Sequence, residues 1–379
     1  MEYKRLGDIG TYINGYPFKP EDRGTEGLPI IRIQDLTGNA YDIGFYNGNY
    51  PKRIEINDGD VLISWSASLG VYLWDRGKAL LNQHIFKVVF EKCAVDKQYF
   101  IYAVQHKLKE MESKTHGATM KHIVKKDFDE TVIPFPSLGQ QAEISKTLSK
   151  TANIIAMRQQ QLSALDDLIK ARFVEMFGDP EFNTKSWSVQ ALDNLCEVGS
   201  SKRIYQNEQS LEGIPFWRIS DLITKMDTGV ADSGLFIPEG KYNELKEANL
   251  VPIVGDILVT SRGTLGRCYI VKEEDRFYFQ DGMISWLSEF DRRITPLYLQ
   301  HLFTMPGFRK QIDSMQAGST VAYLSIAMLK KLQVMVPSKD TQDRFAAFVA
   351  QIDKSKSVIQ KSLDETQLLF DSLMQQYFG

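Results

Sequence analysis

The amino-acid sequence repeats itself, and this repeat constrains the fold more than any other feature of the chain. Segments of the first half return in the same order in the second half, at an offset that grows from 186 to 196 and then to 201 residues. The three clearest pairs are residues 27–36 and 213–222, residues 59–64 and 255–260, and residues 177–178 and 378–379. Because the offset only grows, the halves share one order of elements, and the second half carries insertions.

Each half is predicted to contain a mixed α+β domain followed by one long helix. The domains span residues 1–137 and 181–337, and the helices span residues 138–180 and 338–379. We therefore predict an α+β fold with two tandem domains that are related by a pseudo-twofold axis.

Local patterns within the domains predict individual strands and helices. Arg32-Ile33 and Val61–Ser64 have the aliphatic and β-branched content of strands. The spacing of apolar residues predicts helices over Tyr99–Met111 and Leu297–Phe303.

The two long helices carry a ladder of residues at alternating spacings of three and four, which is typical of a coiled-coil seam. A polar residue on one helix corresponds to an apolar residue on the other, as Arg158 does to Ile359. The alternative is two amphipathic helices that each pack on their own domain. The apolar seam positions are Ile144, Leu148, Ile155, Leu162, Leu165, Ile169, Met176, Phe345, Val349, Ile352, Ile359, Leu363, Phe370, Leu373 and Tyr377.

A twofold axis perpendicular to the helices makes their pairing antiparallel, so we expect one domain at either end of the pair. Such a rod is about 50 Å long at ~1.5 Å per residue. That length matches about 15 base pairs of duplex DNA at ~3.4 Å per step.

Composition excludes several classes of protein. The net charge of −3 argues against a chain that works through a general basic surface. The three cysteines lie far apart, which disfavours a disulfide framework or a cysteine-based zinc site. No apolar run approaches the ~20 residues of a membrane span, and the first residues do not form a signal peptide. We expect a cytoplasmic protein.

The order of motifs in both halves resembles one known family. The first half contains Gly-Leu-Pro-Ile-Ile-Arg-Ile-Gln-Asp-Leu at 27–36, Gly-Asp-Val-Leu-Ile-Ser at 59–64, Asn-Gln-His-Ile at 82–85 and a glycine-containing loop at 117–123. Ile-Pro-Phe-Pro-Ser-Leu-Gly-Gln-Gln-Ala-Glu-Ile follows at 133–144. Over essentially its whole length, the chain resembles the DNA specificity subunit of Type I restriction-modification enzymes.

The sequence departs from the family pattern after the proline turn of each half. The usual Glu-Gln is Gln140-Gln141 in the first half and Thr341-Gln342 in the second. We expect this departure to affect local capping at the start of each long helix more than function.

The resemblance implies a non-catalytic subunit with two target-recognition domains. Each domain would read one DNA half-site, and the paired helices would set a fixed non-specific spacer. The implied partners are double-stranded DNA, two methyltransferase subunits and, in a restriction enzyme, restriction (motor-nuclease) subunits. The methylated base would be adenine, at N6. We expect no cofactor on this chain, because S-adenosylmethionine would bind the methyltransferase subunits. We expect no metal site, because the five histidines have no paired metal-ligand spacing.

The loop after the first predicted helix and its counterpart are the first candidate DNA contacts. They are short and polar, and the first lies in a lysine-rich stretch over residues 107–126 that can face phosphates. A solvated helix end is the alternative. The candidates are Lys114, Thr115, His116, Gly117, Thr119, Lys121, His122, Gln316, Gly318, Ser319, Thr320 and Tyr323.

The loop after the Gly-Asp motif and strand of each half, and the glutamine-containing segments at 83–84 and 280–281, supply further candidates. Arg262 suits guanine, whose O6 and N7 accept two hydrogen bonds, and glutamine suits adenine. Trp65 is as plausible in a core, and a glutamine amide can equally satisfy buried backbone. Arg32 and Arg218 recur in both halves, which favours a scaffold or phosphate role. The candidates are Ser64, Trp65, Ser66, Ser68, Gln83, His84, Thr260, Ser261, Arg262, Thr264 and Gln280, with Gln83 taken to correspond to Gln280.

Two other functions remain as alternatives. A duplicated adaptor would bind only proteins. A nuclease is less favoured, since its sole support is Glu239, Glu244 and Lys246 in a segment that reads as a solvated loop without a counterpart in the first half. The chain has no Asn/Asp-Pro-Pro-aromatic motif and no phosphate-binding loop, so neither methyl transfer nor ATP hydrolysis is expected of it.

Overall fold

The computed structural model describes residues 2–39, 42–114, 124–316 and 322–379, and for residues 113 and 114 it describes only the backbone. The chain forms two compact units. Unit 1 contains residues 1–160 and 360–379, and unit 2 contains residues 161–359.

The first half of the chain forms ten strands and four helices among the described residues. They are β1 (Tyr3–Arg5), β2 (Thr11–Asn14), β3 (Leu28–Ile31), α1 (Ile33–Thr37), β4 (Phe45–Tyr46), β5 (Glu55–Ile56), β6 (Val61–Ser64), β7 (Gly70–Leu73), β8 (Ala79–Leu81), β9 (Ile85–Val89), α2 (Lys97–Lys114), α3 (Lys125–Glu130), β10 (Val132–Pro134) and α4 (Leu138–Phe177).

The second half repeats this order with additional helices. Its elements are β11 (Ser188–Ala191), β12 (Glu197–Gly199), β13 (Ile214–Trp217), α5 (Ile219–Thr228), β14 (Phe236–Ile237), α6 (Glu239–Glu247), β15 (Ile257–Thr260), β16 (Cys268–Ile270), β17 (Tyr278–Phe279), β18 (Ile284–Ser288), α7 (Pro296–Leu302), α8 (Pro306–Ser314), α9 (Ile326–Lys331), β19 (Gln333–Val336) and α10 (Lys339–Phe378).

Equivalent sheets form in both units. In unit 1 an antiparallel sheet has the order β2-β9-β6-β7, and its counterpart in unit 2 has the order β12-β18-β15-β16. A second sheet has the order β4-β3-β8-β5 in unit 1 and β14-β13-β17 in unit 2, with parallel pairing of β3 to β8 and of β13 to β17. A two-stranded ribbon joins β1 to β10 and β11 to β19.

Each unit contains a stretch of both long helices in its apolar core. In unit 1, Leu148 near the start of α4 lies in the same core as Met374 and Phe378 near the end of α10. In unit 2, the rings of Phe173 near the end of α4 and Phe345 near the start of α10 are 5.6 Å apart. The helices therefore run antiparallel within each unit, which confirms the predicted pairing and argues against two helices packed separately.

The ladder of alternating spacings faces inward along both helices. Every apolar seam position named above is buried or half-buried. The polar ladder residue Lys356 is half-buried and forms an ion pair of 2.6 Å with Asp166 of α4 in unit 2. Apolar residues off the ladder, such as Met157 and Leu368, are exposed.

Each long helix begins with a side-chain cap. The Ser137 hydroxyl accepts from the backbone N–H of Gln140, and the Gln140 side chain accepts from the N–H of Ser137 (3.2 Å). At α10, the Ser338 hydroxyl accepts from the N–H of Thr341 (3.3 Å). Gln140 and Thr341 thus belong to the caps, as predicted.

The glutamines that follow these caps do more than the predicted local capping. Gln141 is buried and donates to the carbonyl of Pro136 (2.8 Å), while its Oε1 accepts from the N–H of Asp96 (2.9 Å) just before α2. Gln342 likewise donates to Pro337 (3.0 Å) and accepts from the N–H of Thr295 (2.8 Å) before α7. Each amide fastens a long helix to the domain helix beside it.

Four local predictions can be compared with the structure. Tyr99–Met111 and Leu297–Phe303 do fall in helices, within α2 and around α7. Arg32-Ile33 is not a strand, because the Asp35 carboxylate accepts from the N–H of Arg32 and begins α1 there. The segment with Glu239, Glu244 and Lys246 is helix α6 rather than a loop.

Within the described parts of the chain, no helix is both long and apolar enough to cross a bilayer.

Candidate nucleic-acid interface

The loops that follow β6 and β15 have the same internal hydrogen bond. The Ser64 hydroxyl donates to the carbonyl of Ser68 (2.5 Å), and the Thr260 hydroxyl donates to the carbonyl of Thr264 (2.5 Å). Both hydroxyl residues are fully buried, with 0% exposure. Ser64 and Thr260 therefore close their loops and are too deeply buried to contact DNA in this structure, contrary to the prediction.

The outer positions of these loops are the ones that reach solvent. Ser66 is half-buried, whereas Ser68, Arg262 and Thr264 are exposed. The residue after Ser66 or Arg262 adopts a positive φ in both loops, +59° in one and +67° in the other. Glycine accommodates that conformation without strain, as Gly263 does in the second loop.

Beneath the loop of unit 1 lies an aromatic floor. The Trp65 ring stacks on Phe86, with centroids 5.4 Å apart, and meets the His84 ring edge-on at 5.0 Å. The Trp65 indole N–H donates to Oδ1 of Asn14 (3.3 Å). Trp65 is half-buried, so the ring both supports the loop and retains some exposed area.

Beneath the loop of unit 2 lies a pair of hydroxyls instead. Ser261 and Ser285 hydrogen-bond to each other through their Oγ atoms at 2.7 Å, and both are buried. The backbone equivalence is clear, because the N–H of Trp65 donates to His84 and the N–H of Ser261 donates to Met283. Ser261 is 1% exposed and is likewise too deeply buried to contact DNA in this structure, contrary to the prediction.

The turns between β8 and β9 and between β17 and β18 supply the third pair of candidates, with one correction. The N–H of Asn82 donates to Ile31, and the N–H of Gln280 donates to Trp217. Asn82, not Gln83, is therefore the counterpart of Gln280. The turn of unit 2 contains one more residue, which shifts the apparent match by one position.

The side chains of these turns differ in exposure. Gln83 is exposed and Gln280 is half-buried. His84 is half-buried and has a φ of +70°, and its Nδ1 has no hydrogen-bond partner among the described residues. Next to Gln280, the Asp281 carboxylate accepts from Arg203 (2.9 Å), and this bond raises the pKa of Arg203.

Arg262 contacts Tyr323, and Tyr323 in turn contacts Gln316. Arg262 and Tyr323 form a β-bridge, and the guanidinium carbon of Arg262 lies 5.1 Å from the centroid of the Tyr323 ring. The Gln316 side chain accepts from the N–H of Tyr323 (2.8 Å) and donates to its carbonyl (3.1 Å). The Gln316 amide therefore uses its hydrogen bonds to position the backbone of Tyr323.

Several sequence candidates lie outside the described residues. They are Thr115, His116, Gly117, Thr119, Lys121, His122, Gly318, Ser319 and Thr320, together with the side chain of Lys114.

The recurring arginines have a scaffold role. Arg32 Nε lies 3.1 Å from the Asp35 carboxylate, and Arg218 Nε lies 3.4 Å from that of Asp221. Each carboxylate also accepts from the backbone N–H of the same arginine. These pairs fix the start of α1 and of α5, which supports the scaffold interpretation of their recurrence.

Sequence reasoning missed Asn14, Asn82, Phe86 and Ser285. Asn14 and Phe86 touch Trp65, and Ser285 touches Ser261. Phe86 and Ser285 are identified by strand register, since β9 and β18 pair with β6 and β15, and Asn14 is identified by its pairing with Phe86 between β2 and β9. Only the repeat alignment extended through β9 and β18 could have indicated them.

Comparison with known proteins gives consistent results. A family model described as "Type I restriction modification DNA specificity domain" matches residues 1–166 and 184–366. The chain is similar to the MjaVIII specificity subunit of Methanocaldococcus jannaschii, with 23% identity covering 97% of this chain and 89% of that protein. It is also similar to the EcoBI specificity subunit of Escherichia coli, with 23% identity covering 98% of this chain and 83% of that protein.

A solved structure shows a similar fold. The crystal structure of the S subunit of a Type I restriction-modification system from M. genitalium superposes with a TM-score of 0.55 at 17% identity, covering 100% of this chain and 96% of that one.

Proposed function

This chain belongs to the family of Type I restriction-modification DNA specificity subunits, and on that premise we propose that it reads a bipartite DNA target and positions methyltransferase subunits for adenine-N6 methylation. Members of this family are non-catalytic. The proposed target consists of two half-sites separated by a fixed number of unspecified base pairs.

One observation carries this proposal. The same loop is built twice, with the same buried hydroxyl bond, but its outer positions differ between the units. A shared scaffold with different exposed side chains is what two readers of different half-sites require, because specificity comes from groups that reach base edges. A duplicated adaptor without DNA readout has no need for this pattern.

We assign the two readers to residues 1–137 and 181–337 and the spacer to residues 138–180 and 338–379. Within the readers, the proposed contacts are the exposed or half-buried residues of the loops and turns, except Gln316, whose amide binds Tyr323. These are Trp65, Ser66, Ser68, Gln83, His84, Arg262, Thr264, Gln280 and Tyr323.

The proposed partners are double-stranded DNA, two methyltransferase subunits and, where the system cleaves DNA, restriction subunits. S-adenosylmethionine would bind the methyltransferase subunits and supply the methyl group there. We propose a cytoplasmic location, where the complex meets chromosomal and incoming DNA.

Base-modification sequencing of cells that express this chain with its methyltransferase tests the proposal. We expect one bipartite motif with methylated adenines in both half-sites. The purified complex should protect that motif, and the affinity should fall as salt rises, because phosphate contacts release counterions. Absence of any sequence-dependent methylation or protection would overturn the proposal in favour of the adaptor.

The spacer has its own test. Deletion of seven residues from each long helix shortens the rod by about 10 Å at ~1.5 Å per residue. We expect the unspecified spacer to shrink by about three base pairs at ~3.4 Å per step. A variant that stays active on the unchanged spacer contradicts a helical ruler.

A further inference from the structure

Among the described residues, three arginines of unit 2 form no ion pair, Arg262, Arg292 and Arg309, and of these three only Arg262 lies over an aromatic ring. The neighbouring Arg267 contacts Asp227, and Arg203 contacts Asp281. The exposed Arg262 guanidinium instead lies against the Tyr323 ring, at 5.1 Å from its centroid. An aromatic face attracts the cation without using the N–H donors at the outer edge of the guanidinium. Those donors remain available to a ligand.

Tyr323 is itself held firmly on both sides. The Gln316 amide binds the N–H and the carbonyl of Tyr323, and the next residue, Leu324, is fully buried and donates its N–H to the carbonyl of Ser261. The bridge between Arg262 and Tyr323 links their backbones directly. The ring is therefore a fixed support, which lowers the conformational entropy that the Arg262 side chain loses on binding.

The backbone around Arg262 is equally constrained. The Thr260 hydroxyl accepts from the N–H of Arg267 (3.0 Å) and donates to Thr264, so one buried side chain ties both sides of the loop. Gly263 provides the positive φ that the tip requires. Arg262 thus projects from a loop with little freedom to rearrange.

We infer that Arg262 reads a guanine in the half-site of the second domain, and that Tyr323 and Gln316 are the residues that position it. This inference rests on the proposed function. Two N–H groups of the guanidinium would donate to O6 and N7 of the guanine in the major groove. Adenine offers an acceptor and a donor at the same edge, so it would leave one arginine N–H unpaired.

The counterpart in unit 1 differs at the decisive position. Ser66 occupies the site of Arg262, and its hydroxyl accepts or donates to either type of base. The arginine contact therefore belongs to one half-site only, and its removal should change one half of the target.

The test uses the complete complex with its methyltransferase subunits and the motif found by methylome sequencing. We expect R262Q to bind the target roughly tenfold to hundredfold more weakly and to relax the requirement for one guanine in one half-site. Arg292→Gln is the matched control, because Arg292 is exposed and forms no ion pair with a described residue. It removes the same charge and should leave the motif unchanged.

Direct contact is tested by replacing each guanine of the target, one at a time, with 7-deazaguanine, which lacks the N7 acceptor. One such replacement should weaken binding by the wild-type complex and have no effect on the R262Q complex, which is the non-additivity of two groups that touch. Equal weakening of both complexes at every guanine overturns the inference, as does R262Q behaviour that matches Arg292→Gln.

The positioning role is tested by Tyr323→Phe and Tyr323→Leu. Phenylalanine keeps the aromatic face, so the requirement for that guanine should persist, whereas leucine removes the face and should weaken binding at the same guanine several-fold. Equal effects of the two substitutions contradict this role. A wild-type complex with no motif at all contradicts the proposed function itself, whereas an intact motif that is unchanged in R262Q contradicts only the assignment of Arg262.

Discussion

The loops after β6 and β15 have the same backbone hydrogen bonding but pack on different side chains. In unit 1 the large rings of Trp65 and Phe86 stack beneath the loop, whereas in unit 2 the hydroxyls of Ser261 and Ser285 meet at the same two positions. Both loops keep a buried hydroxyl, from Ser64 or from Thr260, that binds the carbonyl four residues later.

The difference shows which part of such a loop can vary. The buried hydroxyl donates to a backbone carbonyl of the loop, so its loss removes that hydrogen bond from a buried site. The space beneath the loop must be occupied by packed side chains, and an aromatic stack or a hydrogen-bonded pair of hydroxyls meets that requirement. A duplicated scaffold can therefore keep its loop while the support and the exposed residues above it change.

The largest expected effect concerns the last residues of the two long helices. The helix that follows the first domain ends in the core of unit 2, and the helix that follows the second domain ends in the core of unit 1. Phe177, from the helix of the first half, packs on Tyr298 of unit 2 at 4.8 Å, and Phe378, from the helix of the second half, packs on Tyr99 of unit 1 at 5.2 Å. Each alanine substitution should lower the free energy of unfolding by about 3–5 kcal/mol.

Hydrogen exchange can show which unit is affected. Phe177→Ala should lower protection in β15 of unit 2, and Phe378→Ala should lower it in β6 of unit 1. Phe182→Ala is the control, because Phe182 is 71% exposed and its loss should change the stability by less than about 0.5 kcal/mol. Loss of protection in β6 after Phe177→Ala would contradict the assignment of Phe177 to the core of unit 2.

The second effect is a pH dependence that should be larger in unit 2 than in unit 1, where burial also lowers the pKa of His106. Burial lowers the pKa of His301 to about 4, and the nearby Lys356 cation adds to this shift. The equivalent residue in unit 1 is Tyr102. In the unfolded chain, His301 takes up a proton near pH 6.5, whereas in the folded chain it stays neutral down to about pH 4. Stability should therefore fall between these values, by about 3 kcal/mol in total at ~1.4 kcal/mol per pH unit.

Urea unfolding of His301→Gln at pH 7 and at pH 4 isolates this contribution. The variant should lose less stability on acidification than the wild type, by about 3 kcal/mol at ~1.4 kcal/mol per pH unit. An unchanged difference between the two pH values would show that other groups cause the acid sensitivity.

The third effect compares the glutamines that fasten the long helices. The Gln342 side chain bonds to the N–H and hydroxyl of Thr295 and to the carbonyls of Arg293 and Pro337, whereas among the described residues the Gln141 side chain bonds to two groups, the N–H of Asp96 and the carbonyl of Pro136. We expect Gln342→Ala to lower the free energy of unfolding by about 2–3 kcal/mol and Gln141→Ala by about 1–2 kcal/mol.

Thermal unfolding with Gln351→Ala as control measures this difference. Gln351 lies on an exposed face of α10, so its replacement should have little effect. Equal losses for the two buried glutamines would mean that the additional bonds of Gln342 contribute nothing.

The smallest effect concerns the hydroxyl floor. Ser261→Ala leaves the buried Ser285 hydroxyl without its partner and should lower the free energy of unfolding by about 1–2 kcal/mol. Removal of both hydroxyls should be nearly neutral, because neither then remains unsatisfied. Chemical denaturation of the two single variants and the double variant checks this, and additive losses would argue against a coupled pair.

Sequence reasoning succeeded where the signal was periodic. The three-and-four spacing from Ile144 onward identified the inner face of α4, because that face is repeated along the whole helix. The repeated glycine and aliphatic motifs also aligned the loops after β6 and β15 correctly. Repetition made both predictions independent of any single residue.

Sequence reasoning failed where a single contact decided the outcome. A serine or threonine is compatible with a loop surface or a buried hydrogen bond, so the burial of Ser64 and Thr260 could not be deduced. The one-residue difference between the turns after β8 and β17 made Gln83 look equivalent to Gln280. The aliphatic content of Arg32-Ile33 predicts a strand, but the Asp35 carboxylate caps the backbone there and a helix begins instead.

The assignment of Phe378 to the core of unit 1 has a consequence for synthesis. All of unit 2, residues 161–359, leaves the ribosome before Met374 and Phe378 do, so unit 2 has its whole sequence while the core of unit 1 still lacks its last side chains. During that interval the nascent chain exposes the apolar surface of α2 that these residues later cover. A polypeptide stalled near residue 359 should therefore be a substrate for chaperones at unit 1, although nearly all of that unit has already been translated.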